Sequence, residues 1–124
     1  MNSINSKRKG AVGEREVAKI LRENGFDDAR RTAQFCGNTG DAADVTGLEQ
    51  FDIHIEVKRQ ERISIMDWMR QAIRDCKGRN PLVVFRQNNG EWYCVMRFQF
   101  FLDILKKLLR RSDDGREEIN SNIS

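Results

Sequence analysis

The stretch Phe51-Asp52-Ile53-His54-Ile55-Glu56-Val57-Lys58 alternates apolar and polar residues along its whole length. A strand points successive side chains to opposite faces. Phe51, Ile53, Ile55 and Val57 therefore belong to one face, and Asp52, His54, Glu56 and Lys58 to the other. The apolar face needs a core to cover it. The polar face sets a carboxylate beside an ammonium, because residues two apart on a strand lie roughly 6.5 to 7 Å from one another. A lone Glu-x-Lys on a strand is ordinary solvated charge, so its meaning rests on what the rest of the chain brings to it.

Immediately upstream, Asp44 to Leu48 reads as an antiparallel neighbour, with Glu49 and Gln50 near the turn. Asp44 opens that strand. Directly opposed residues come within about 5.5 Å and diagonal ones within about 8 Å, so Asp44 and Glu56 can share a cation. Further back, Val17, Ala18 and Leu21 recur at helical spacing in a helix expected from Lys9 to Asn24, and Gly25 is placed to end it. Glu14 precedes those apolar residues by three, four and seven positions, which sets it on the core-facing stripe. An acid in the first turn of a helix, responding to the helix dipole, is the ordinary alternative.

The remaining segments complete an α/β pattern. Ala29 to Thr32 can form a short strand, followed by a glycine-containing loop from Cys36 to Gly40. Ser64 and Asp67 resemble a capping box ahead of a stripe of Met69, Ala72, Ile73 and Cys76, and Gly78 should stop that helix. Pro81 to Arg86 reads as a buried strand, Asn88-Asn89-Gly90 as a hairpin turn and Glu91 to Arg97 as the return. Phe101, Ile104, Leu105 and Leu108 define a last helix, whose apolar face, widened by Leu102 and Leu109, exceeds one stripe and suggests a partner surface. The expected order is α-β-β-β-α-β-β-α, with a central mixed sheet flanked by helices.

At 124 residues the chain suits one domain, expected over residues 9–111. Residues 1–8 read as a flexible basic arm and residues 112–124 as a disordered polar tail. No apolar run approaches the roughly 20 residues of a membrane span, and no secretory signal follows the polar start. Cys36, Cys76 and Cys94 form no CxxC pair, which argues against a disulfide framework or a zinc knuckle and for buried, reduced thiols in the cytoplasm. The net charge of +3 is a mild hint of a polyanionic partner. Its distribution is more informative: Lys7, Arg8 and Lys9 cluster before the first helix, and Arg30 and Arg31 follow it. These basic residues are candidates for phosphate contacts, arginine being suited to bidentate ones.

Hard divalent cations such as Mg²⁺ take oxygen ligands, often one or two carboxylates together with substrate phosphate. Asp44 and Glu56 supply that minimum, and the Val57 carbonyl can add an oxygen. Lys58 would orient water or counter developing charge, and Glu14 would act through a water or on a second cation. Phosphodiester cleavage calls for these functions together. Nothing indicates an organic cofactor. His54 shares the polar face, yet a single histidine is commonly structural. Trp68 and Trp92 could stack on exposed bases, but their apolar neighbours favour packing, as they do for Phe98, Phe100 and Phe101.

These residues resemble the PD-(D/E)XK nuclease superfamily, whose signature is an acid opening one strand and a Glu-x-Lys on the next. More narrowly, Lys9 to Glu61 resembles the archaeal-type Holliday junction resolvases and their phage-encoded relatives. That resemblance rests on Gly10 to Glu14, Gly25-Phe26, Arg30-Arg31, Asp44-Val45 and Ile55-Glu56-Val57-Lys58. It implies a restriction-endonuclease-like core and a Mg²⁺-dependent nuclease, with Mn²⁺ able to substitute. It also implies a homodimer that cuts branched DNA in a bacterial or phage-infected cell, with Asp44, Glu56, Lys58 and Glu14 as catalytic residues. Another DNA substrate, restriction-like, nicking or repair, would use the same acids. A silent DNA-binding module is the non-enzymatic alternative, which the full set of four residues argues against.

The chain departs from the family pattern in places. Ala42-Ala43 precedes Asp44, so the Pro of the superfamily's name is absent. Asp41 rivals Asp44 for the same role, but it sits in the glycine-rich loop, whereas Val45 continues a strand. Resolvases of this type often use a Ser or Thr in that loop, for which Thr39 is a candidate beside Thr32. Gln71 matches a Gln of some superfamily branches, without the Tyr that usually follows it.

Overall fold

The alternation that begins at Ile53 becomes the middle strand of a five-stranded sheet in order β1-β2-β3-β4-β5. The computed structural model describes the backbone of residues 3–32 and 43–123, and the side chains of residues 10–32 and 43–113. Its elements are α1 (Ser3–Glu23), β1 (Arg30–Arg31), β2 (Val45–Thr46), a 3-10 turn (Glu49–Phe51), β3 (Ile53–Arg59), α2 (Ile65–Asp75), β4 (Asn80–Arg86), β5 (Tyr93–Met96) and α3 (Phe98–Ile123). The parallel β3–β4 pair makes an otherwise antiparallel sheet mixed. Element order and sheet type are those the sequence pattern implies for an α/β, restriction-endonuclease-like core.

The two faces of β3 divide the molecule. Ile55 and Val57 pack with Val17 and Ala18 of α1, with Val45 and with Leu48. On the other side Trp68, Met69 and Ala72 of α2 pack on Val83. Burying one such aliphatic side chain contributes roughly 1.5–3 kcal/mol, so α1 and α2 are held to opposite faces and β3 is enclosed between them. Trp68 is buried and its ring lies 5.5 Å from that of Phe85, which makes it a core residue. Trp92 packs against the α1-side cluster, with the Arg86 guanidinium 5.6 Å over its ring. Phe100 is buried, whereas Phe98 and Phe101 are exposed.

Gly25 and Gly47 take backbone conformations that other residues rarely adopt. Gly25, at φ +98°, closes α1, and Phe26 N–H then donates to the Leu21 carbonyl at 3.0 Å, the left-handed helix ending that glycine permits. Gly47 has φ +117°, and a Cβ there would lie 2.6 Å from Ala29 Cα. Only a glycine lets β2 turn away so close to the segment entering β1.

Several boundaries differ from the sequence expectation. β3 starts at Ile53 because Asp52 adopts φ 59°, and the residues before it form the 3-10 turn. Phe51 is consequently exposed and meets Phe26 edge-on at 5.8 Å. β2 is cut short by Gly47. Ser64 is the N-cap of α2 but makes no side-chain capping bond, and Asp67 pairs with Arg70 at 3.0 Å. Cys76 is buried as expected, whereas Cys94 is exposed. Helix α1 begins at Ser3, within the stretch read as an arm, and α3 continues to Ile123, through the stretch read as a tail. The chain's single proline is Pro81, so neither end contains the residue that most strongly stops a helix.

Candidate active site

The register Val45↔Ile55 sets the residue before Val45 opposite the residue after Ile55, which are Asp44 and Glu56. The backbone secures this pairing. Asp44 N–H donates to the Ile55 carbonyl at 2.8 Å, and Val57 N–H donates to Asp44 Oδ2 at 2.8 Å. Asp44 is thus fixed at both its backbone and its side chain by the strand that carries Glu56. In a strand the N–H and C=O of one residue face the same neighbour, so the Val57 carbonyl faces the edge that holds Asp44.

The two carboxyls hydrogen-bond each other, and the Asp44 carboxyl is pushed up to about 8. Burial is the largest cause. The adjacent Glu56 charge and the bond to Glu56 add to it, Glu14 contributes a smaller repulsion, and the Val57 N–H acts in the opposite direction. Burial and a neighbouring carboxylate both disfavour the charged form of an acid, so Asp44 keeps its proton to a higher pH than a free aspartate does. Glu56 is 4% exposed, far from the solvated face that a lone Glu-x-Lys would ordinarily occupy.

Gly13 brings Glu14 to this place. A Cβ on Gly13 would lie 3.1 Å from Arg59 Cβ and 3.5 Å from Val57 Cγ1, so the absence of a side chain lets α1 rest directly on β3. The next residue, Glu14, then acts on Asp44 electrostatically. Its Oε2 accepts a bond from Arg31 Nε at 2.8 Å, with both side chains 15% exposed. Arg31, a candidate phosphate contact, is therefore turned inward to Glu14, while Arg30 is exposed and donates to the Asp28 carbonyl at 3.4 Å.

Lys58 is partly buried, and its Nζ donates to Gln71 Oε1 of α2 at 3.1 Å. That bond ties the α2 side of the domain to the Glu-x-Lys pair. His54 is the residue that sequence reasoning passed over. It is 4% exposed, and its Nε2 lies 2.8 Å from Glu56 Oε1. The available signal was its position two residues before Glu56 on the same strand face. Thr39 and Asp41 lie outside the described residues, as do the side chains of Lys7, Arg8 and Lys9.

Among the described residues no three His, Cys, Asp or Glu side chains gather as a ready metal set. The oxygens in this arrangement that could serve a cation are those of the Asp44 and Glu56 carboxylates and the Val57 carbonyl. They are all hard oxygens, the donor type that divalent cations such as Mg²⁺ take. The arrangement can hold one hard cation with an ammonium alongside. Among the described residues no helix is long and apolar enough to cross a membrane.

A family model described as "Phage putative PDDEXK endonuclease" matches residues 5–120 of the chain. No curated protein and no solved structure gives a match.

Proposed function

The chain belongs to the phage PDDEXK endonuclease family, and from that premise we propose that it is a metal-dependent DNA endonuclease acting on four-way junctions. The observation that carries the metal-dependent activity is the proximity of the Asp44 and Glu56 carboxyls enforced by the β2–β3 register, close enough that the Glu56 charge helps to raise Asp44. Asp44, Glu56 and the Val57 carbonyl would hold the cation, Mg²⁺ or in its place Mn²⁺. A cation held there would supply charge neutralisation, water activation and leaving-group stabilisation for phosphodiester cleavage.

The protein's own groups supply the rest. Lys58 Nζ, steadied by Gln71, faces the reacting phosphate and offsets the charge that develops on it. Glu14 orients water beside the acids, and Arg31 holds the Glu14 side chain in place through its 2.8 Å contact while presenting a guanidinium near the incoming backbone. Arg30, Thr39 and the basic residues Lys7, Arg8 and Lys9 extend the phosphate contacts outward, giving affinity without sequence readout. Such an enzyme works in the cytoplasm of a bacterial or phage-infected cell.

Junction selectivity rests on the resemblance of Lys9 to Glu61 to junction resolvases, and a homodimer follows from the need to cut two strands. The exposed apolar residues Phe101, Leu105, Leu108 and Leu109 of α3 offer a surface for it. Incubation with Mg²⁺ and equal amounts of four-way junction, linear duplex and single-stranded DNA tests the substrate. Paired, symmetric nicks in the junction alone are expected. Equal cutting of the duplex would leave the nuclease but remove the junction, and the restriction-like or nicking alternative would then stand.

A further inference from the structure

His54 is the chain's only histidine, is nine-tenths buried or more, and has no part in the chemistry assigned above. Its Nε2 meets Glu56 Oε1 at 2.8 Å, with both side chains 5% exposed. Asp44 is the other group that bonds the Glu56 carboxyl among the described residues. His54 is also among the residues that line a cavity of about 180 Å³, together with Thr32, Thr46, Lys77 and Arg79. Among the described residues no main-chain donor reaches Glu56 as Val57 N–H reaches Asp44, so the two candidate ligands are held by different means.

We propose that His54 is a positioning residue for the cation site: its Nε2–H fixes Glu56 Oε1 and leaves Oε2 to the cation shared with Asp44. A glutamate side chain has three rotatable bonds and can present one oxygen or two to a metal. With Oε1 engaged by a ring that is packed in place, Glu56 binds through a single oxygen in a set orientation. A partner that orients a ligand in this way commonly governs metal affinity by about 10- to 100-fold. The inference rests on the cation site proposed above and adds a residue that acts through Glu56 without touching substrate.

The test compares His54→Gln with His54→Asn. The Gln amide N–H reaches the position of the imidazole Nε2–H, whereas the Asn amide stops short of it; the two side chains are otherwise alike in polarity. Mn²⁺ binding without DNA, followed by electron paramagnetic resonance at one fixed pH, is read beside thermal melting and the KM for DNA. Wild type should bind Mn²⁺, His54→Asn should bind it about 10-fold more weakly or worse, and His54→Gln should stay within about threefold of wild type by the same reasoning. The KM for DNA should not move. If His54→Asn does not fold, His54→Phe takes its place as the variant without a donor. Wild-type Mn²⁺ affinity in the donor-less variant overturns the role of His54 and leaves the cation site standing. A folded His54→Gln as weak as the donor-less variant also overturns it. A wild-type protein that binds no Mn²⁺ overturns both.

Discussion

Val57 N–H donates to Asp44 Oδ2 at 2.8 Å, so the strand that carries Glu56 also holds the acid of its neighbour. The geometry of the site is therefore a property of the β2–β3 register. A slip of one residue would turn Glu56 and Lys58 into the α1-side core and Ile55 and Val57 out of it, a change the packing of Ile55 and Val57 against α1 forbids.

The first prediction concerns pH in the metal-free protein. Asp44 is raised from 3.8 to about 8 in the fold, so the folded state holds a proton that the unfolded chain releases. That contribution to stability is complete below about pH 4 and is lost as pH rises to about 8. Asn at this position keeps an oxygen for Val57 N–H and a donor for Glu56, and does not titrate. In chelator, Asp44→Asn should melt above wild type at pH 8, by several degrees at about 4–8 °C per kcal/mol, and the gap should close towards pH 4.5. Melting curves that run parallel across that range would show that Asp44 carries no such proton.

Substituting Gly47 tests the turn that ends β2. The left-handed φ and the 2.6 Å approach of a Cβ to Ala29 Cα leave no room that a side-chain movement could create. Gly47→Ala should destabilise by about 2–4 kcal/mol, seen as a lower urea midpoint with an unchanged slope. A midpoint equal to wild type would mean the backbone here yields freely.

Lys58 and Gln71 should differ in how much they matter. Loss of a donor aimed at transition-state charge costs about 10²- to 10³-fold in rate, which is the expectation for Lys58→Met in single-turnover cleavage. Gln71→Ala frees the ammonium without removing it, so its loss should be smaller, about tenfold or less. A Gln71→Ala enzyme slower than Lys58→Met would reverse the assignment and make the glutamine the primary group.

Self-association is measurable directly. Sedimentation at micromolar concentration should give a dimer for wild type and a monomer for Leu105→Glu/Leu108→Glu, residues 44% and 56% exposed on α3. A wild-type monomer would remove the dimer, and a dimer unaffected by the two charges would move its interface elsewhere.

Much of this architecture is legible in the sequence because it follows from periodicity. Ile55 and Val57 had to face a core, which put Glu56 and Lys58 together, and the spacing from Glu14 to Val17, Ala18 and Leu21 carried that acid to the sheet-facing side of α1. The details that escaped depend on contacts between distant segments. Nothing local to Arg31 announces that it turns back to Glu14, and nothing local to Gly13 announces Arg59 beneath it. Ser64 carries the letters of a cap without its hydrogen bond, and Asp52 breaks the alternation through a left-handed backbone that its side chain tolerates. His54 was visible on the right face of β3, but only its burial and its distance from Glu56 separate it from an ordinary strand histidine.

The most direct test of the central claim is cleavage of a DNA substrate by wild type and Glu56→Gln in chelator and across a Mg²⁺ titration. Wild type should be silent in chelator and recover saturably with Mg²⁺. Glu56→Gln, which keeps the shape and loses the anionic ligand, should remain slower by at least about 10²-fold at every Mg²⁺ concentration. Cleavage by Glu56→Gln at the wild-type rate, or wild-type cleavage undiminished in chelator, would contradict the assignment of a divalent cation to Asp44 and Glu56.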